Sequence, residues 1–326
     1  MFQVIHETFS RTHDIVAAVD EHGAHPGFWD WYPYNRSGIS HQANLTVFDQ
    51  WPVAGLLVGG GGLPSGFAGN LVDSARASGI PTAFAGIDVA FETQNGHSLR
   101  PEGIREYLAR FDYVGARSAE GAAMLGRTGI PVQHAAEWAL SLETDRCDDL
   151  LPDPGRVAVV LREWPLEMVG WHYIQAAMDL IKGLRARGFQ PCWLPFCPED
   201  ERFLGDLALG GAAPVERIWW NPRRMKQFVA TSATVVSVGR LHPLVFAAAT
   251  NTPAVSVTAP EIPEVDKWMP KLRQICKEFG IAEASHVGEA LDFFDRGLPP
   301  PPDAKLVAAS RVRLDGMISR LSKIFV

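Results

Sequence analysis

Apolar runs of strand length alternate with helical patterns along almost the whole chain, and this alternation limits the possible folds more than any other feature of the sequence. Parallel sheets produce such a pattern, because each strand is followed by a helix that crosses back over the sheet. Residues 234–257 show it most clearly, with a buried strand, a turn, a helix of small residues and a second strand. We therefore predict an α/β protein with two doubly wound, Rossmann-like domains that face a central cleft.

The boundary between the two domains is predicted where the alternation breaks. Residues 145–155 are rich in Asp, Pro and Gly, which is typical of an interdomain linker. This places an N-terminal α/β domain at residues 1–145 and a C-terminal α/β domain at residues 155–300. The remaining residues, 303–326, are predicted to form an amphipathic helix that could pack back on the first domain.

The predicted elements follow one another closely in both domains. In the first, strands are predicted at 53–58, 81–86, 112–116 and 131–135, and helices at 67–78, 101–110 and 119–128. Phe2–Ile5 and Ile15–Val19 could be further strands. In the second, strands are predicted at 156–161, 189–195, 215–219, 234–238 and 253–257. The helices of that domain are predicted at 165–187, 199–208, 222–230, 242–250, 264–279 and 287–295.

Composition and charge exclude several classes of protein. The formal net charge is −7 and no basic run offsets it, which argues against a nucleic-acid partner. No stretch approaches the roughly 20 apolar residues of a membrane span, and no signal peptide is recognisable at the N-terminus. A cytoplasmic protein is therefore expected, with peripheral association at the inner membrane face left open. The four cysteines follow no metal-ligand spacing, so we expect reduced thiols and no metal site. No cofactor is expected either.

Three arginines follow predicted strands, at the positions where doubly wound domains bind their ligands. Arg117 follows the strand at 112–116, and Arg162 follows the strand at 156–161. Arg240 comes just after the strand at 234–238. Each arginine alone is typical of a surface ion pair. Together, such guanidiniums could bind a carboxylate and a phosphate through paired hydrogen bonds.

A run of four glycines follows the strand at 53–58. The backbone N–H groups of Gly60, Gly61 and Gly62 could approach an anion closely, since glycine has no side chain. The run is not the spaced dinucleotide-binding fingerprint, and it is not a P-loop because no Lys-Ser or Lys-Thr follows. A tight turn that requires positive φ is the other interpretation.

His242 lies two residues beyond Arg240, in the first turn of the helix predicted at 242–250. A helix N-terminus favours anions and neutral imidazole, so His242 is the candidate general acid and base beside Arg240. A surface arginine and a capping histidine are the alternative for this pair taken alone. Two carboxylates that follow the strand at 189–195, Glu199 and Asp200, are expected to cap the helix at 199–208, with contact to substrate as the alternative. Glu137 is expected to order the linker side.

An aromatic segment near the N-terminus is the candidate sugar-binding surface. It contains Trp29, Trp31 and Tyr32, whose rings could stack on sugar rings. Packing of these rings within their own loop is the alternative interpretation.

Several segments taken together resemble the polysaccharide pyruvyl transferase family. They are residues 56–63, 111–118, 157–162, 240–242 and 251–256, and the resemblance extends over roughly residues 53–258. It implies a GT-B-like fold and the transfer of the pyruvyl unit of phosphoenolpyruvate onto a pair of sugar hydroxyls as a cyclic ketal, with release of phosphate. By this resemblance Arg240 and His242 match the donor-binding and catalytic Arg-Leu-His of the family, and Arg162 matches its strand-end arginine.

The resulting expectation is a ketal pyruvyltransferase of exopolysaccharide or cell-surface glycan biosynthesis. Phosphoenolpyruvate is its expected co-substrate, and the acceptor is a saccharide that could be lipid-linked. Two alternatives stay open. A GT-B glycosyltransferase or epimerase would bind a nucleotide-sugar instead of phosphoenolpyruvate, and a non-catalytic saccharide-binding protein would have no need to retain Arg162, Arg240 and His242 together.

Overall fold

The computed structural model describes residues 2–18, 40–42, 48, 52–59, 66–87, 101–145, 149–164, 166–207, 209–257 and 270–325. The chain divides into two compact units. The first consists of Met1–Trp138 with Ala309–Val326, and the second of Ala139–Ala308. The division therefore falls at Trp138, before the linker predicted at 145–155, and the C-terminal residues from Ala309 onward belong to the first unit.

The first unit contains a four-stranded parallel sheet. Its elements are α1 (Phe2–Phe9), β1 (Val16–Ala18), β2 (Ser40–Gln42), β3 (Leu56–Gly59), α2 (Gly66–Ala77), β4 (Thr82–Ile87), α3 (Pro101–Leu108), β5 (Tyr113–Ala116), α4 (Ala119–Gly126) and β6 (Gln133–His134). The sheet has the strand order β3-β4-β5-β6, and β1 and β2 form a separate parallel pair.

The core of the first unit lies between this sheet and its helices. Phe84, Leu108 and Leu125 are completely buried there, and the ring of Phe84 lies 5.1 Å from that of Phe111 between centroids. The hydroxyl of Ser118 accepts a hydrogen bond from the Gly121 N–H at 3.0 Å, which satisfies an otherwise unpaired donor and begins α4. The chain thus turns directly from β5 into α4.

The second unit contains a five-stranded parallel sheet with helices. Its elements are β7 (Asp153–Leu161), α5 (Leu166–Ala186), β8 (Gln190–Trp193), α6 (Pro198–Asp206), α7 (Pro222–Ala230), β9 (Ser232–Val238), α8 (His242–Thr250), β10 (Ala254–Val257), α9 (Pro270–Phe279), β11 (Ala282–Ala284) and α10 (Val287–Asp295). The strand order is β11-β10-β9-β7-β8. All five residues from Val157 to Leu161 are buried, as expected for a central parallel strand covered on both faces.

This strand order reverses its direction at β7. The chain first adds β8 on one side of β7 and then returns to place β9 on the other side. Sheets of this kind bind ligands where the order reverses, because the two connections leave in opposite directions and open a crevice at the carboxyl ends of the strands. In this unit that position lies beyond the paired residues Leu161 and Val238.

The C-terminal helix α11 (Ala304–Ile324) is amphipathic, as predicted. Its apolar residues Leu314, Met317 and Leu321 are buried. Beyond it, the ring of Phe325 packs edge-on against Phe9 at 6.3 Å, and the Phe325 carbonyl accepts from His13 at 2.9 Å. Within the described part of the chain, no helix is both long and apolar enough to cross a membrane.

The strand suggested at Phe2–Ile5 is wrong, because these residues belong to α1. Val4 and Phe9, in the first and last turns of this helix, are both buried. The suggested strand at Ile15–Val19 is confirmed in part, since Val16–Ala18 pairs in parallel with β2.

The predicted strand at 215–219 is reduced to a single bridge between Val215 and Trp193. The chain leaves the sheet there because the side chains of Arg217 and Trp219 both bond to Glu201, at 2.7 and 2.6 Å. The short strand β11 was not predicted, since its sequence Ala-Glu-Ala has little strand preference.

Candidate functional site

The ends of β7 and β9 bring two of the predicted arginines into one neighbourhood. The Arg162 N–H donates to the Val238 carbonyl at 2.9 Å, so Arg162 lies beside Gly239, the residue that follows β9. Gly239 has a φ of +81°, and a Cβ atom there would lie only 3.1 Å from the Cβ of Arg162. The turn into Arg240 therefore requires glycine for both its conformation and its space.

Arg162 provides the guanidinium of this site for which no described residue is an anionic partner. Its Cζ lies 4.1 Å from the centre of the Trp164 ring, a cation–π contact with a buried aromatic. No described residue accepts a hydrogen bond from this guanidinium. Burial, and secondly the nearby Arg240, lower the pKa of Arg162. Because arginine still remains charged at neutral pH, the site carries a positive charge that is available to an anion.

Arg240 is instead held by a completely buried carboxylate. Asp200 is 0% exposed, and its Oδ1 accepts from Arg240 Nε at 3.2 Å and from Arg240 Nη2. The Nη2 group also contacts Cys197 Sγ at 2.9 Å. Burial disfavours the charged form of Arg240, but Asp200 outweighs this effect and the pKa of Arg240 is raised. Three of the five guanidinium donors are thus engaged, and those on Nη1 have no partner among the described residues.

Asp200 also accepts hydrogen bonds from two backbone groups. The Glu163 N–H donates to Oδ1 at 2.9 Å, and the Phe196 N–H donates to Oδ2 at 3.1 Å. The expectation that Asp200 simply caps the helix at 199–208 was therefore incomplete. The helix begins one residue earlier, at Pro198, and Asp200 links its N-terminal turn to Arg240.

His242 is the first residue of α8 and its side chain is exposed. The turn that precedes it is fixed by Ser237, whose hydroxyl donates to the Arg240 carbonyl at 2.6 Å. The structure thus places Arg162, Arg240 and His242 at adjacent strand ends of one sheet. An anion bound by the arginines would lie next to an imidazole that is accessible to solvent for proton exchange.

Buried aromatic residues support this arrangement, and the sequence analysis did not identify them. The hydroxyl of Tyr173 donates to the Arg162 carbonyl at 2.8 Å, and burial raises the pKa of Tyr173, which keeps the donor protonated. Trp164 lies beneath Arg162. Its position two residues beyond a strand-end arginine was the only signal in the sequence.

Cys197 is predicted to be an unreactive thiol despite its contact with an arginine. Burial, and secondly Asp200, raise the pKa of Cys197 from 9.0 to about 12. Because the thiolate is the reactive species, alkylation of Cys197 by iodoacetamide at pH 8 should be two to three orders of magnitude slower than that of an ordinary cysteine. Unfolding in urea should abolish the difference. Peptide mapping by mass spectrometry measures it, and rapid labelling of native Cys197 would contradict the prediction.

Arg117 lies in the first unit and makes a buried ion pair. Its Nη1 contacts Glu137 Oε2 at 2.9 Å, and the two side chains are 6% and 1% exposed. Both residues follow strands, β5 and β6, so the pair connects neighbouring strand ends. Glu137, expected to order the linker, instead has Arg117 as a partner. Whether Arg117 also binds the donor stays a prediction.

The remaining predicted site residues lie outside the described residues. These are Gly60, Gly61 and Gly62 of the glycine run, and Trp29, Trp31 and Tyr32 of the aromatic segment. Their roles in donor and acceptor binding stay predictions.

Solved structures with the same architecture include GT-B-like sugar enzymes. MurG from Acinetobacter baumannii matches with a TM-score of 0.55 at 10% identity, over 99% of this chain and 94% of that one. The UDP-GlcNAc 2-epimerase from Methanocaldococcus jannaschii matches with a TM-score of 0.59 at 10% identity, over 95% and 94% of the two chains. At this identity the likeness concerns the fold alone. It confirms the predicted α/β, GT-B-like fold class.

The family follows from the sequence itself. Residues 15–259 match the family model of the polysaccharide pyruvyl transferases, and this protein belongs to that family. The matched range includes Arg162, Asp200, Arg240 and His242. A search of curated protein sequences found no match.

Proposed function

We propose that this protein transfers the pyruvyl group of phosphoenolpyruvate onto two hydroxyls of a saccharide as a ketal and releases phosphate. The observation that carries the proposal is the strand-end cluster of Arg162, Arg240 and His242. It combines a guanidinium that has no anionic partner among the described residues, a second one fixed by Asp200, and an exposed imidazole. Phosphoenolpyruvate carries a carboxylate, a phosphate and a methylene carbon that must be protonated, and these three features correspond to the three side chains.

The first step is an addition across the double bond of phosphoenolpyruvate. The methylene carbon gains a proton and becomes a methyl group, while the first sugar hydroxyl forms a bond to C2 and loses its proton. His242 is the proposed group that moves a proton in this step, a role worth about 10²–10⁴ in rate. The arginines stabilise the charge of the carboxylate and phosphate throughout.

The second step closes the ketal. The bond between C2 and the bridging oxygen breaks, and phosphate leaves with the bonding electrons. The second sugar hydroxyl then attacks C2 and loses its proton. Two hydroxyl protons are released in total, one enters the new methyl group, and the other is taken up by phosphate or solvent. The scheme requires no cofactor or metal.

Ligand-dependent thermal stability tests the identity of the donor. Phosphoenolpyruvate should raise the melting temperature, since a ligand at 100 times its Kd stabilises the folded state by about 2.7 kcal/mol. UDP-GlcNAc should have no such effect. Stabilisation by UDP-GlcNAc without stabilisation by phosphoenolpyruvate would reject the proposal in favour of a nucleotide-sugar enzyme.

Turnover with a panel of synthetic and lipid-linked glycosides tests the reaction and identifies the acceptor. Phosphate release should require both phosphoenolpyruvate and a glycoside, and the product should gain a pyruvyl ketal detectable by mass spectrometry. Binding of phosphoenolpyruvate without turnover on any glycoside would favour a non-catalytic protein. Participation in exopolysaccharide or cell-surface glycan synthesis, and a cytoplasmic location, belong to the same proposal.

Arg240→Lys should weaken donor binding although it preserves the charge. A lysine ammonium beside Asp200 would be occupied by that carboxylate, and it lacks the planar set of donors that lets Arg240 contact Asp200 and a ligand together. We expect the Kd for phosphoenolpyruvate to rise about tenfold, roughly the loss of one charged hydrogen bond. Isothermal titration measures it, with circular dichroism as a check on folding. An unchanged Kd would remove Arg240 from the donor site.

A further inference from the structure

One buried carboxylate connects the three loops that surround the proposed donor site. Asp200 bonds to the Glu163 N–H after β7, the Phe196 N–H after β8 and the Arg240 side chain after β9. These three strands are adjacent in the sheet, in the order β9-β7-β8. Asp200 is therefore placed to fix the relative positions of all three strand ends.

Asp200 does not bind substrate itself. It is 0% exposed and both carboxylate oxygens already accept hydrogen bonds from the protein. Apart from the direct effect of its charge, any influence of Asp200 on an anion in the site must therefore be transmitted through another residue. Arg240 is the residue suited to transmit it, because Asp200 contacts two nitrogens of the guanidinium and so fixes the plane of the group.

The sign of the electrostatic effect makes this role testable. A negative charge close to an anion-binding site weakens anion binding by simple repulsion. If Asp200 were only a nearby charge, neutralising it would strengthen anion binding. If it holds Arg240 in its binding orientation, neutralising it would weaken anion binding, because the guanidinium would lose its fixed geometry.

We propose that Asp200 is a positioning residue that orients Arg240 toward the donor anion and fixes the carboxyl ends of β7, β8 and β9 around it. The proposal rests on the proposed function only in identifying that anion as phosphoenolpyruvate. The two arginines then differ in the hydrogen-bond donors that they can offer to the anion. Arg162, with no hydrogen-bonded partner among the described residues, offers its full set of donors, whereas Arg240 offers the donors on Nη1.

The first test compares Asp200→Asn with Asp206→Asn. Asp206 undergoes the same chemical change at the exposed end of the same helix, so it controls for the loss of one negative charge. Asp200→Asn should raise the Kd for phosphoenolpyruvate at least tenfold and the donor KM with it, while acceptor KM stays within about twofold. Asp206→Asn should leave all three constants unchanged. Tighter or unchanged anion binding by a folded Asp200→Asn protein would overturn the proposal.

A double-mutant cycle with Arg240→Gln separates positioning from a general structural effect. If Asp200 acts through Arg240, Asp200→Asn should cost little further affinity in the Arg240→Gln background. An equal loss in both backgrounds would overturn the proposal. All variants are also titrated with inorganic phosphate, which does not depend on the proposed function. A protein that binds phosphate but not phosphoenolpyruvate would contradict the proposed donor and would still report whether Asp200 positions Arg240.

Discussion

His242→Ala is expected to lower kcat by two or more orders of magnitude while donor binding survives in part. The residue is exposed at the start of α8 and lies two positions beyond Arg240, next to the proposed donor anion. The loss corresponds to that of a general acid and base, because no other described imidazole lies at this strand end. Donor affinity should be retained in part, since Arg162 and Arg240 remain. The measurement is kcat against pH, and the variant should lose one limb of the wild-type profile.

His172→Ala is the matched control for this experiment. His172 is an exposed histidine on α5, and the described residues give it no hydrogen bond. Its removal should leave kcat and the pH profile unchanged. Near-normal kcat and an unaltered pH profile in His242→Ala would contradict the proposed role of His242 in proton transfer. Glu199, half-buried in the same helix as Asp200, would then be the next residue to test.

Arg162→Ala is expected to weaken binding of phosphoenolpyruvate by roughly a hundredfold. Two charged hydrogen bonds to one anion contribute about 3 kcal/mol together, and the guanidinium has no described carboxylate partner that would share this energy. The fold should tolerate the change, because the side chain is half-buried and the Tyr173 bond goes to the backbone carbonyl of Arg162. Isothermal titration with phosphoenolpyruvate gives the Kd without any need for the acceptor.

Arg187→Ala controls for the loss of one positive charge from the second unit. Arg187 follows the C-terminal end of α5 and forms an exposed pair with Asp295 at 2.6 Å. Because α5 begins near the carboxyl ends of the parallel strands, its other end lies toward their amino ends, away from the proposed site. Binding of phosphoenolpyruvate should be unchanged in this variant. A similar loss in both variants would mean that net charge, and not the Arg162 site, determines anion affinity.

The strands and helices that carry the site were predictable because their signals are local. The residues of β9 are mostly small or β-branched, with three valines among them, and the turn after the strand contains glycine; both features are visible in the sequence. The local signal is also clear for β7, whose residues from Val157 to Leu161 are all apolar, and for α8, which begins at His242 as predicted. Since ligands of such sheets bind at strand ends, Arg162, Arg240 and His242 could be selected from the sequence before their neighbours were known.

Elements whose signal depends on distant partners were predicted poorly. Val215 pairs with Trp193, but the rest of the strand predicted at 215–219 does not join the sheet. Its residues Arg217 and Trp219 instead bond to Glu201 on α6. The strand β11 exists because it pairs with β10, since its own residues have little preference for a strand. In both cases tertiary contacts outweigh local propensity.

The sequence by itself determined the fold class, the family and the positively charged strand ends, because hydrophobic periodicity and short motifs are properties of neighbouring residues. Only the tertiary structure decided how the charges are paired. Asp200 and Arg240 are separated by 40 positions and meet because β8 and β9 lie on either side of β7. The same folding leaves Arg162 on Trp164 without a described carboxylate, and places Arg117 with Glu137 in the other unit. Which arginine is engaged and which is available depends on contacts between distant segments, and these are set by the packing of the sheet.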